Sequence, residues 1–263
     1  MPKNSTSSIV FITGAFIGSN CWDQWKTYFK NNGYTCIAPC WPHKDGTPEE
    51  LRNRHPDLAI ASNDLNKLVE YFAGVINTIE ERPILIGHSL GGLIVQLLLQ
   101  RGLGSAGVAI HSFPPFGTCS LRLRFIRAIW ETMSLFTSKR KTYLMPFRTW
   151  AFAMTNGMDC EQQKELYYQY AIPESKKIIR DAFKPLATID FKRSHVPLLL
   201  TSGSNDKLIS PALNYCNYKR YIDKDSVTGY KEFEGHSHLI FDHPAGKKEA
   251  DFIFRWLQQL EIK

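Results

Sequence analysis

Five residues, Gly87-His88-Ser89-Leu90-Gly91, constrain this chain more than any other stretch, because of what flanks them. Pro83-Ile84-Leu85-Ile86 before them is a wholly apolar strand pattern, and Gly91 to Gln100 after them is an apolar helix pattern. A strand that turns abruptly into a helix holds the residue between them in a strained conformation. Glycines two before and two after remove side chains that would collide with the turn. The serine hydroxyl then stands exposed, with the helix N-terminus beneath it to favour developing negative charge. The alternative is a Gly-rich turn that opens a buried helix and carries no chemistry.

The same alternation recurs along the chain. Ser8 to Thr13, Tyr34 to Pro39, Ala106 to Ile110, Val196 to Ser202 and Val227 to Phe233 read as further strands. Helical spacing of apolar residues predicts helices over Cys21 to Asn31, over about Leu58 to Glu80, and at the C-terminus through Ala250, Ile253, Trp256, Leu257 and Leu260. Strands alternating with helices predict an α/β fold, with parallel strands and crossover helices on both faces. After Pro114-Pro115 the pattern changes, and from Gly117 to about Phe191 there is helical periodicity with no strand. The expected organisation is one α/β core, residues 1–116 and 192–263, interrupted by a helical insertion at 117–191.

Composition excludes several classes. At 263 residues, with 43% apolar and 22% charged, the chain is ordinary for a globular protein with one sizeable core. No apolar run approaches a membrane span, and the polar start MPKNST lacks a secretory pattern, so a cytoplasmic location is expected. Six scattered cysteines (Cys21, Cys36, Cys40, Cys119, Cys160, Cys216) form no CxxC pair, and are expected to be reduced and to bind no metal. The net charge of +7 reads as a solubilising surface, since no nucleic-acid-binding signature accompanies it.

A serine needs a base to become a nucleophile, and the base needs an orienting acid. For this kind of turn the chain order expected is serine, acid, histidine. Asp206 lies just past the strand Leu198 to Ser202, at the carboxyl end where open α/β sheets place their sites. Two histidines, His236 and His238, occupy the loop between the last strand and the last helix, and their spacing alone does not separate them. His88 reads as packing within the turn. His43, His55, His111, His195 and His243 have weaker claims as loop or strand-end residues.

These segments together resemble α/β-hydrolases of the lipase, esterase and hydroxynitrile-lyase kind over nearly the whole chain. The resemblance rests on Gly87-His-Ser-Leu-Gly-Gly92, Ser202-Gly-Ser-Asn-Asp206 and Phe233-Glu-Gly-His-Ser-His238. It implies a mostly parallel central sheet flanked by helices, with a helical cap at the insertion. It implies a triad of Ser89, Asp206 and His238, because in similar sequences the catalytic histidine falls three residues after a glycine. Thr13-Gly-Ala-Phe-Ile-Gly-Ser-Asn-Cys-Trp22 matches the family's first oxyanion loop, with Thr13 where a histidine usually sits. The implied oxyanion donors are the N–H groups of Ala15 and Leu90, with Phe16 the alternative to Ala15.

The implied activity is cleavage of a small, partly apolar ester through an acyl-enzyme, with neither metal nor organic cofactor. A lyase or acyltransferase on the same triad and a ligand-binding receptor are the alternatives. A lyase of this kind would need a lysine near the site, for which Lys207 is the candidate. Ser120 to Trp150 concentrates Arg122, Arg124, Arg127, Lys139, Arg140, Lys141 and Arg148 against Glu131, interleaved with Phe125, Trp130, Phe136, Tyr143, Phe147 and Trp150. An apolar inner face there suits an ester. The cations are either solvated or attract an anionic substrate or a membrane surface.

Overall fold

The apolar runs close into one sheet. The computed structural model describes residues 7–118, 141–241 and 244–260. Its strands are β1 (Ser8–Ile12), β2 (Thr35–Ile37), β3 (Ile84–His88), β4 (Ala106–Ile110), β5 (Thr142–Tyr143), β6 (Glu174–Ser175), β7 (Leu198–Gly203) and β8 (Thr228–Phe233). Six of them run parallel in the order β2-β1-β3-β4-β7-β8. Ile12 pairs with Gly87, and His88 with Ile110, so β1, β3 and β4 finish together. The loops that follow gather at one edge of the sheet, where an open α/β fold places its site.

The helices are α1 (Asp23–Asn31), α2 (Pro48–Asn53), α3 (Leu58–Ala61), α4 (Leu65–Asn77), α5 (Leu90–Gln100), α6 (Phe147–Ala153), α7 (Cys160–Tyr170), α8 (Lys176–Asp181), α9 (Pro211–Arg220) and α10 (Pro244–Gln259). In α5 every residue from Leu90 to Leu99 is buried, as an all-round apolar sequence requires. The helix expected over 58–80 divides instead at 62–64. Asp64 caps α4, its carboxylate accepting from the Lys67 N–H at 2.8 Å, while the Asn63 amide donates to the Pro42 carbonyl at 2.7 Å. A short polar side chain that bonds backbone locally, as Asp64 does, competes with helix continuation, and the more distant bond of Asn63 holds the break in place. Rings anchor α1 to the sheet: Trp22, just before α1, meets Phe11 of β1 at 4.8 Å and Phe241 at 4.7 Å between centroids. Such pairs add about 0.5–1.5 kcal/mol each beyond burial.

Between β4 and β7 the described residues 141–191 hold α6, α7 and α8, and also β5 and β6, paired antiparallel with Thr142 opposite Ser175. Strands of two residues show no alternation for a sequence reading to find. The segment is stitched to the sheet's loops at two places. Gly18 N–H donates to the Tyr170 carbonyl at 3.0 Å and Ile172 N–H to the Phe16 carbonyl at 2.9 Å. At the other side Leu239 N–H donates to the Met154 carbonyl, and the Asn156 amide to the Asn205 carbonyl, both at 2.7 Å.

Of the basic and aromatic run, Arg122, Arg124, Phe125, Arg127, Trp130, Glu131, Phe136, Lys139 and Arg140 lie outside the described residues. Within them, Lys141 and Arg148 are exposed and Trp150 is fully buried. Cys21, Cys36, Cys40 and Cys160 form no disulfide, whereas Cys216 is disulfide-bonded, which corrects the expectation that all six are reduced. Spacing alone could not foresee a bond between cysteines distant in sequence. Among the described residues no helix is long and apolar enough to cross a membrane.

Candidate active site

Ser89 joins β3 to α5 with φ 55° and ψ −118°, a conformation that costs a non-glycine residue about 1–3 kcal/mol. Packing and hydrogen bonds hold it there. Its N–H donates to the Ile110 carbonyl at 2.9 Å, and its carbonyl accepts from Phe113 N–H at 2.9 Å. A Cβ on Gly87 would lie 2.3 Å from the Gly91 carbonyl oxygen, and one on Gly91 would lie 2.1 Å from that of Ile12. Only glycine permits α5 to start this close to the sheet. Among the described residues four non-glycines have positive φ, and three of them, Phe16, Ser89 and His111, sit at this edge.

The loop after β1 runs against the serine, since a Cβ on Gly14 would meet Ser89 Cβ at 2.9 Å. Thr13 is buried, and its hydroxyl accepts from the Trp22 indole N–H at 3.1 Å, which ties the loop to the aromatic layer. Phe16 N–H donates to Glu174 Oε2 at 3.2 Å, so this amide is already engaged. The N–H groups of Ala15 and Leu90 make no hydrogen bond to any described residue. Glu174 also receives the Lys44 ammonium, and both side chains are buried. Burial lowers the pKa of Lys44, and the carboxylate of Glu174 opposes that shift.

Asp206 and His238 come together from the loops after β7 and β8. His238 Nδ1–H donates to Asp206 Oδ2 at 2.7 Å, with both side chains fully buried. Asp206 Oδ1 accepts from the N–H groups of Leu208 (2.8 Å) and Ile209 (2.7 Å). Burial would raise the Asp206 pKa, but His238 and His111 outweigh it and hold the carboxyl well below the usual range. His238 Nε2 is buried and accepts no hydrogen bond from any described residue. None joins it to Ser89 Oγ, a bond that in such sites often tightens only when substrate is present. His236 points elsewhere: its ring stacks on Phe233 (5.0 Å, 16°) and its Nδ1 faces Glu249 Oε2 at 3.4 Å.

Two further residues join this cluster: His111, which had only a weak claim from sequence, and Glu249, which sequence did not single out. His111, just after β4, lies with Nδ1 3.3 Å from Asp206 Oδ2 and Nε2 3.6 Å from Glu249 Oε2. Glu249 of α10 is wholly buried. Its signal was an acid within the stripe Gly246, Glu249, Ala250, Ile253, Leu257 that α10 buries. His88 donates from Nε2 to the His238 carbonyl at 2.9 Å, and burial holds its pKa well below the ordinary value, with His238 and His111 adding to the effect. His111, His236 and Glu249 bring ligand-type atoms within 4.8 Å of one another. A ring with one nitrogen toward each of two carboxylates has the arrangement of an ion pair rather than of a metal centre. Lys207 is exposed, with its ammonium 5.6 Å from the centre of the Phe152 ring.

Comparison with known proteins agrees with this architecture. No curated protein sequence matches the chain. Among solved structures, the monoacylglycerol lipase of Paleococcus ferrophilus superposes with TM-score 0.69 at 19% identity, over 96% of this chain and 95% of that one. A methylesterase from Arabidopsis gives 0.67 at 16%, over 97% and 100%. A variant of tomato methylketone synthase I, complexed with β-ketoheptanoate, gives 0.70 at 14%, over 97% and 98%. Identities this low speak to fold alone. The family model described as the alpha/beta hydrolase family matches residues 9–247, and the chain belongs to that family.

Proposed function

We propose that the chain is a serine hydrolase that cleaves a carboxylic ester of a small, partly apolar molecule. The observation that carries this reading is the buried 2.7 Å bond from His238 Nδ1 to Asp206, which leaves His238 Nε2 as an unpartnered base at the edge where Ser89 is held strained. His238 Nε2 takes the proton of Ser89 Oγ as the oxygen attacks the ester carbonyl. Asp206 stabilises the imidazolium, and the Ala15 and Leu90 amides receive the oxyanion. The imidazolium then protonates the departing alcohol. A water attacks the acyl-enzyme, gives its proton to His238, and releases the acid and the free serine. No step calls on a metal or an organic cofactor.

The insertion at 117–191 serves in this reading as the cap over the serine, consistent with its hydrogen bonds to the loops after β1 and β8. A lyase reading is weakened, because Lys207 is turned to solvent beside Phe152. A cytoplasmic location loses one support with the disulfide at Cys216. Fold alone does not choose the reaction, so the test is turnover of a short-chain nitrophenyl ester. The wild-type chain is expected to hydrolyse it, and Ser89→Ala to lose at least about a thousandfold. Near-normal rates in that variant would end the proposal, and absence of turnover in the wild type would favour the lyase, acyltransferase or receptor alternatives.

A further inference from the structure

The cluster behind His238 holds two carboxylates, Asp206 and Glu249, whose side chains are fully buried. Buried carboxylates need a positive partner, since an uncompensated charge there is very costly. Among the described residues, every ion pair that either carboxylate makes is with a histidine: His111 and His238 for Asp206, His111 and His236 for Glu249. The compensating charge is therefore a proton on an imidazole.

Among the described residues only His111 reaches both acids, at 3.3 Å from Asp206 Oδ2 and 3.6 Å from Glu249 Oε2. Its two nitrogens are buried and have no other partner, so a proton on each directs one N–H toward each carboxylate. The titratable groups that face this ring are His88 at the end of β3 (6.2 Å between centroids), Asp206 after β7, His238 (6.1 Å) and His236 after β8, the latter with a ring nitrogen within 4.8 Å, and Glu249 on α10. His88 is kept neutral by its surroundings. His236 touches Glu249 alone among the acids.

We propose that His111 is a resident imidazolium clamped between Asp206 and Glu249, a positioning residue whose charge keeps His238 unprotonated at rest. The proposal rests on the reading of His238 as the base. With His111 charged, the two acids and His111 sum to one negative charge, and His238 can take the serine's proton during attack and bring the cluster to neutrality. With His111 uncharged, two bare buried carboxylates would draw a proton onto His238 before substrate arrives, and the base would already be spent. Burial alone would lower the pKa of His111, but Glu249 and Asp206 reverse the shift and bring it to about 9.

The test is ¹⁵N-histidine NMR titration of the intact protein and of His111→Gln, with kcat/KM for a nitrophenyl ester measured over the same pH range. In the wild type one imidazole should stay doubly protonated through neutrality, and its signal should vanish in the variant. In His111→Gln the His238 titration and the acid limb of kcat/KM should both move up by at least one pH unit. Activity would fall about tenfold below the limb and recover above it, whereas a merely structural loss would lower the rate at all pH values. If His111→Gln does not fold, Glu249→Gln should bring the high-pH titration down instead. A His238 titration unmoved in His111→Gln, a His111 already neutral at pH 7, or stoichiometric zinc in the purified protein would overturn the proposal. Failure of the parent reading looks different: no ester turnover at any pH, with the imidazole titrations still readable.

Discussion

Gly91→Ala tests how tightly α5 is pressed against the sheet. The added Cβ would lie 2.1 Å from the Ile12 carbonyl oxygen and 2.8 Å from that of Thr13. A carbon rests about 3.3 Å from a carbonyl oxygen at closest comfortable approach, so the helix start or the end of β1 must move by roughly 1 Å. Both obstacles are backbone, and no flexible side chain can absorb the shift. Overpacking of this kind costs about 1–3 kcal/mol, and the backbone setting places the expectation at the upper end. The displaced groups include the Leu90 and Ala15 amides, the oxyanion donors of the proposed mechanism, and misplacing a catalytic group by 1 Å can cost about a hundredfold in rate. Gly74→Ala is the control, because a Cβ there meets nothing within 4 Å and the position is exposed in mid-helix. It should stabilise by about 0.5–1 kcal/mol with no change in rate. Urea unfolding and nitrophenyl-ester kinetics read both effects. A Gly91→Ala protein with a wild-type midpoint and a rate within about threefold of wild type would refute the reasoning from close approach.

Glu174→Ala strands the buried Lys44 ammonium and releases the Phe16 amide, so it should cost about 3–5 kcal/mol in urea unfolding. Replacing both partners by apolar residues of similar volume should recover most of that loss. His238→Ala should abolish ester turnover while His236→Ala keeps the larger part of it; the opposite pattern in the same assay would move the base to His236. The pH dependence of stability follows from two shifts. The pKa of Glu249 is lowered to about 2 because His111 outweighs its burial, so its contribution is full above about 4.5 and is lost as pH falls toward 2. The pKa of His111 is raised, so its contribution is full below about 6.5 and is lost as pH rises through about 9, a loss that His111→Gln should abolish in unfolding midpoints taken across that window.

What the sequence disclosed and what it hid divide along a physical line. The run from Pro83 to Gln100 was legible because apolar continuity, glycine spacing and the serine all describe one local object, and β3, Ser89 and α5 form it. The strand-end position of Asp206 was legible for the same reason. The choice between His236 and His238 was not, because it depends on Gly235, whose φ of 76° turns the loop, and on the stacking of His236 over Phe233. His111 and Glu249 were hidden more deeply, since they meet across 138 positions of chain and neither stands in a motif. Helices α2 and α9 also went unread. The Thr47–Glu50 capping box that opens α2 is a local signal that a closer reading could have used.

The central claim, an activated serine at position 89, is tested most directly by labelling the folded protein with a fluorophosphonate and mapping the modified peptide. Covalent modification at Ser89, lost in His238→Ala and in the heat-denatured protein, is the predicted result. A folded protein that takes up no label, or takes it at another residue, would contradict the account.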